Sequence, residues 1–369
     1  MLYRRMPIEI ESPEEMGYAS IECNLSESSI WDARLGEWTK GLEGLTLCYG
    51  EHRGSAELRG RIAAPHGGVR AEDVLVLPGA AAALFVVNSS LLDEHRSMLV
   101  VRPNYATNVE TPRLLRCWVD YLELKFESQF ELDLDEVASR ITSKTRLISV
   151  TYPHNPTGVV LGEAQLRDLI ELTERHDCYL LVDETYRDLH RGPTPPLAAQ
   201  LSPRAISVSS LSKAFGLPGI RMGWIICRNR ELQELFLAAK EQILICNSVV
   251  DEEIARRVLV ERDTLLSGIR ARVGENYRVV SDWMAGEPNL EWIPPQGGVV
   301  CLPRMKDNLC INTSAFYETL LQKFSTYVGP GHWFELSDRY FRLGYGWETK
   351  EKLTAGLRNI SSALRESLE

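Results

Sequence analysis

The chain has 369 residues, 44% hydrophobic and 25% charged, the balance of a soluble globular protein with room for two domains. Its formal net charge of −10 and its scattered arginines exclude an extended interface with nucleic-acid phosphates. No apolar run approaches the roughly 18 residues of a membrane span, and residues 1–6 lack a signal peptide's apolar core, so a cytoplasmic location without membrane partners is expected.

Eight cysteines are spread singly, without a CxxC pair or zinc-ligand spacing, so reduced thiols and no metal site are expected. Residues 1–45 read as irregular, with a polar turn over 24–29 leading into a helix at Ile30. A loop runs from Tyr49 to Gly54, and Ser55 caps a helix through Ala64. Residues 73–77 read as a strand ending at Pro78-Gly79, and the alanine-rich residues 80–92 as a helix packed closely on a sheet.

The alternation then continues. Strands are expected over 97–101, 119–124, 145–151, 179–184 and 205–208, with helices over 107–116, 134–141 and 163–176 between them. A strand ends near Ile226, and a long helical region runs from 231 to about 283. Strand signals over 289–304, a helix over 314–323, strands over 325–328 and 340–343 and a helix over 349–364 make a smaller α+β unit. Continuous apolar strands spaced by amphipathic helices imply an α/β fold with a mostly parallel sheet covered on both faces. Ligands of such sheets bind beyond the carboxyl ends of the strands. Gly79, Tyr105, Asn155, Asp183 and Lys213 all fall at expected strand ends, so one site can collect them.

Lys213 follows the strand 205–208 among hydroxyls and glycines, with Arg221 eight residues on. A lysine desolvated in such a place loses basicity and becomes a nucleophile that forms a Schiff base with a carbonyl. Ser210, Ser212 and Arg221 suit a phosphate. Lysine imine plus phosphate anchor is what pyridoxal phosphate requires. Asp183, after an apolar strand, needs a cationic partner or costs several kcal/mol to keep charged; a protonated pyridine nitrogen is one such partner. Tyr186 can point the same way. Gly79-Ala80-Ala81-Ala82 opens a helix whose free amides can hold phosphate.

Order and spacing resemble the class I/II aminotransferases, the fold-type-I pyridoxal-phosphate enzymes, from Tyr49 to Leu364. The matching motifs are Tyr49-x4-Gly54, Pro78-Gly79-Ala80, Pro103-x-Tyr105, Asn155-Pro156-Thr157-Gly158, Asp183-Glu184-x-Tyr186, Ser210-Leu211-Ser212-Lys213 with Arg221, and Phe341-Arg342-Leu343. The resemblance implies that Lys213 is the Schiff-base lysine and Asp183 the partner of the pyridine nitrogen. It makes Asn155 and Tyr186 donors to the ring hydroxyl and Tyr105 the ring that stacks on the cofactor. Ser210, Arg221 and the amides of Ala80 and Ala81 become the phosphate cradle, and Arg342 the clamp on the substrate α-carboxylate. It also implies a homodimer, with Tyr49 reaching the partner's cofactor phosphate. The expected layout is an N-terminal segment 1–45 packing with the small domain, a large cofactor-binding domain 46–270 and a small domain 271–369.

Four departures bear on substrate. His154 precedes Asn155 where a small residue is usual, and an ordinary surface histidine explains it. The turn 25–29 replaces a Gly-Pro type turn and reads as solvated. Gly331-His332-Trp333-Phe334 precedes the arginine strand and reads as small-domain core. Residues 243–245 are apolar where aspartate-specific relatives supply an arginine, which argues against a dicarboxylic substrate. The expected activity is transamination between an α-amino acid and a keto acid, with the freed Lys213 moving the Cα proton. The alternative is an eliminating cyclase of the capreomycidine-forming kind, acting on a β-hydroxylated basic amino acid, for which the acidic turn at Glu27 suits a guanidinium. A regulator that keeps the fold as a ligand sensor carries an added DNA-binding domain, for which this chain has no room.

Overall fold

A computed structural model describes residues 3–368. Seven strands form the main sheet: β1 (Val74–Leu77), β2 (Ser97–Arg102), β3 (Trp118–Glu123), β4 (Thr145–Thr151), β5 (Tyr179–Asp183), β6 (Ala205–Ser210) and β7 (Gly223–Cys227). Their order across the sheet is β1-β7-β6-β5-β4-β2-β3. All neighbours are parallel except β7, which runs antiparallel to both β1 and β6.

The inner strands place apolar residues on both faces because both are covered. In β1, Leu75 and Leu77 pack with the Ala80–Leu91 and Arg230–Ile243 helices, while Val74 and Val76 join the core on the other face. The Glu163–Arg175 helix closes that second face over β2, β4 and β5, where Leu169 and Ile170 meet Ile148 and Leu180. Alternation with apolar residues on both sides is what a doubly covered sheet produces. Ser55 caps the Ala56–Ala63 helix as expected, its hydroxyl accepting from the Leu58 amide.

The structure overturns one expectation and refines three. No helix begins at Ile30; the chain there is irregular and pinned, with the Ile30 amide donating to the Lys213 carbonyl. The region 231–283 is three helices, Arg230–Ile243, Val249–Val260 and Arg262–Gly286. The second starts where the Ser248 side chain accepts from the Asp251 amide. The strand signals over 289–304 resolve into three two-residue strands, Leu290–Glu291, Val300–Cys301 and Arg304–Met305. The strand expected over 325–328 divides into Thr326–Tyr327 and Gly329–Pro330, and the first pairs in parallel with Cys23–Asn24. That pairing ties the N-terminal segment to the C-terminal part of the chain. Among the described residues no helix is long and apolar enough to cross a membrane.

Candidate active site

At the carboxyl ends of the parallel strands lies a cavity of about 280 Å3. The topology explains why it collects so many sequence-distant groups. Gly79, Tyr105, Asn155 and Lys213 each follow a strand within a few residues, and Asp183 ends β5. Because β7 is antiparallel, Arg221, just before it, returns to the same end. Ala80, Ala81, Tyr105, Asn155, Asp183, Tyr186, Ser210, Ser212, Lys213, Arg221 and Arg342 all line the cavity.

Lys213 is partly buried, and its Nζ donates to the Ser28 hydroxyl at 2.9 Å. Burial lowers its pKa, with the neighbouring Glu27 carboxylate opposing the shift. Asp183 is buried, and burial raises its pKa. Bonds to its Oδ1 from the Thr185 amide at 3.1 Å and the Thr185 hydroxyl at 2.5 Å pull the other way. Among the described residues it has no ion pair, and the charge of nearby Lys213 also pulls its pKa down. Its neighbour Glu184 is consumed by the scaffold instead, accepting from the Ser207 hydroxyl at 2.7 Å and pairing with Arg187 at 2.9 Å.

Arg342 is 4% exposed, yet it meets no carboxylate. Its Nη1 donates to Asn155 Oδ1 at 3.1 Å and its Nη2 to the Ser26 carbonyl at 2.7 Å, while Nε has no partner. Phe334 packs on the guanidinium, 5.2 Å from ring centroid to Cζ. A buried, incompletely satisfied guanidinium beside a cavity is a receptor for an anion.

Opposite it, the Ala80–Leu91 helix opens with amides that have no partner within the helix. Gly79, at φ +88°, leaves the room this end needs: a Cβ there would sit 2.6 Å from Arg221 Nη2. The residues therefore fit pyridoxal phosphate. Gly79, Ala80, Ala81, Ser210 and Arg221 can hold the phosphate and Asp183 the ring nitrogen. Tyr105, its pKa raised by burial to about 12, is a neutral ring beside them.

Two readings of the departures are overturned. His154 is not on the surface: it is 1% exposed, burial lowers its pKa to about 4, and its Nδ1 meets the Thr157 hydroxyl at 2.8 Å. It braces the turn that carries Asn155. The turn 25–29 is not solvated either, since Ser26, Ser28 and Ser29 are buried. The Ser28 carbonyl accepts from the Tyr186 hydroxyl at 2.7 Å, so this turn holds Lys213, Tyr186 and Arg342 together. Trp333 and Phe334 are buried as expected, but Trp333 also lines the cavity.

Tyr49 stands apart, 81% exposed and outside the cavity, and Ile243 and Ile245 are exposed as well. The sequence reading missed Glu9 and Glu14, which line the cavity from two four-residue helices, Pro7–Ile10 and Pro13–Met16, and Ser12 between them. Prolines at the helix starts were the only signal.

Residues 34–360 match the family described as aminotransferase class I and II. A capreomycidine synthase of Streptomyces vinaceus is 28% identical over 363 residues, covering 94% of this chain and 91% of that protein. An arginine–pyruvate transaminase of Pseudomonas aeruginosa is 28% identical over 309 residues, covering 80% of this chain and 77% of that one. The solved structure of a PLP-dependent aminotransferase from Streptococcus suis superposes with a TM-score of 0.92 at 28% identity, over 100% of this chain and 99% of that one.

Proposed function

The chain belongs to the class I and II aminotransferase family, and on that premise we propose that it is a pyridoxal-phosphate-dependent aminotransferase of an α-amino acid, working from the cavity around Lys213. The observation that carries the reading is one cavity lined by Lys213, Asp183 and the underpartnered Arg342. When bound there, pyridoxal phosphate supplies a carbonyl for amine exchange and a protonated ring that withdraws electrons from the substrate α-carbon.

The chain supplies the rest. Arg342 binds the α-carboxylate, with Asn155 and Ser26 fixing its orientation. Asp183 keeps the ring nitrogen protonated, and Arg221, Ser210 and the amides of Ala80 and Ala81 hold the phosphate. Lys213 Nζ, its basicity lowered by burial, takes the proton from substrate Cα and gives one back as an ammonium group. A second carboxylate on the substrate meets like charge at Glu9, Glu14 and Glu27, which argues against a dicarboxylic amino acid. The exposed Tyr49 supports a homodimer in which it reaches the partner's phosphate. We place the enzyme in the cytoplasm, with residues 46–270 as the cofactor-binding domain, 271–369 as the small domain and 1–45 packing with the latter.

A second reading is favoured by the near full-length similarity to a capreomycidine synthase. It assigns the same residues to elimination and ring closure on a β-hydroxylated basic amino acid. Both readings need Lys213 as the attachment point. Borohydride reduction followed by peptide mass spectrometry is expected to find the cofactor on Lys213, and an adduct on another lysine, or none, overturns both.

A further inference from the structure

Seven charged side chains line the cavity: Glu9, Glu14, Glu27, Asp183, Lys213, Arg221 and Arg342. The proposed function matches four of them, Asp183 to a ring nitrogen, Arg221 to a phosphate, Lys213 to a carbonyl carbon and Arg342 to a substrate carboxylate. Three carboxylates remain on one wall.

Their surroundings differ from those of the acids beside them. Glu11 and Glu15, on the same N-terminal segment but outside the cavity lining, have cationic partners, His332 at 2.8 Å and Arg5 at 3.3 Å. Among the described residues Glu9, Glu14 and Glu27 have no ion pair. Glu9 accepts only from the Tyr105 hydroxyl, at 3.3 Å. Glu27 accepts from the Tyr18 hydroxyl at 3.2 Å and the Asn24 amide at 3.4 Å. Burial raises the pKa of Glu27, so a cation arriving beside it relieves a standing cost. Independently, Arg342, which is 4% exposed and has no partner for its Nε, lines the same cavity and sets where the carboxylate end of a ligand sits.

The geometry points to an α-amino acid with a long cationic side chain as the substrate, its carboxylate on Arg342 and its distal cation on Glu14 and Glu27. A guanidinium suits this wall better than an ammonium, because its planar fork of five donors can serve more than one carboxylate. The inference rests on the cavity being the amino-acid site and deepens that reading.

The test separates the two. Calorimetry on the holoenzyme compares δ-guanidinovalerate with δ-ureidovalerate. Both lack the α-amine and cannot react with the cofactor; they differ in distal charge. The cationic acid is expected to bind on the order of ten- to hundredfold more tightly, the range of a charge-assisted contact. The Glu14→Gln/Glu27→Gln double variant is expected to bring the ratio close to one while δ-ureidovalerate binds as before, which also shows that the variant folds. Equal binding of the two acids by wild type, or a preference that survives the double variant, overturns the inference. A preference that depends on both glutamates, in an enzyme that consumes a basic α-amino acid but forms no keto acid from it, supports this inference and counts against the aminotransferase reading alone.

Discussion

Lys213 Nζ and the Ser28 hydroxyl are joined at 2.9 Å across 185 positions of chain, so the reactive amine is held by the N-terminal segment. The hydroxyl oxygen accepts from the ammonium form and favours it, against the burial that lowers the lysine pKa. Ser28→Ala is expected to lower that pKa further. The pH dependence of Lys213 acetylation in cofactor-free protein, read by mass spectrometry, measures it. A midpoint that stays put or rises contradicts the assignment.

Arg342→Ala is expected to raise KM for the amino acid, because a bidentate partner of the carboxylate disappears. The loss is about 2–5 kcal/mol in kcat/KM if the substrate carboxylate stays desolvated. Arg342→Lys keeps the charge but not the fork that also reaches Asn155 and Ser26, so it is expected to rescue only part. Unchanged kinetics in either variant moves the clamp elsewhere.

Gly79→Ala combines two costs. The φ of +88° with ψ of 167° is a backbone region essentially reserved for glycine and costs alanine about 1–3 kcal/mol, and the new methyl displaces Arg221. Cofactor titration followed by visible absorbance is expected to show binding about tenfold weaker, the equivalent of about 1.4 kcal/mol. Undiminished affinity removes Gly79 and Arg221 from the phosphate cradle.

The central sheet is legible in the sequence because its inner strands carry runs of consecutive apolar residues, and turn residues punctuate them. The cofactor-side residues are legible for a related reason: most follow or end such a strand, and a parallel sheet brings those ends together. What stays hidden is contributed at long range. Ser28, Glu9 and Glu14 sit on turns and four-residue helices too short to show a period, and long-range contacts such as the pairing of Cys23–Asn24 with Thr326–Tyr327 bring that segment to the cavity. His154 misleads through its residue type, since a titratable ring suggests the surface while its bond to Thr157 lets it lie buried and neutral. The divisions within 231–283 carry no proline or glycine between the first and second helices, so the apolar pattern runs through them.

His332 ties the same N-terminal segment to the later part of the chain. Its Nε2 meets Glu11 at 2.8 Å and its Nδ1 meets Asp338 at 2.8 Å, and only the imidazolium donates to both. Burial opposes that charge, but the bonds to Glu11 and Asp338 outweigh it and raise the pKa. A raised folded-state pKa contributes stability that is full below the ordinary value of about 6.5 and is lost as pH rises through the folded value. The Tm difference between wild type and His332→Gln is therefore expected to be largest at mildly acidic pH and to shrink towards alkaline pH. A difference that grows with pH contradicts this.

The most direct test of the central claim is the form of the cofactor after a single turnover with an amino acid and no added keto acid. Transamination leaves the amino group on the cofactor, so acid release is expected to yield pyridoxamine phosphate and one equivalent of keto acid. Elimination with ring closure needs no second substrate and returns the cofactor as it began. Recovery of pyridoxal phosphate with a β-hydroxylated basic amino acid consumed, and no keto acid formed, contradicts the aminotransferase account and assigns the chain to the cyclase chemistry.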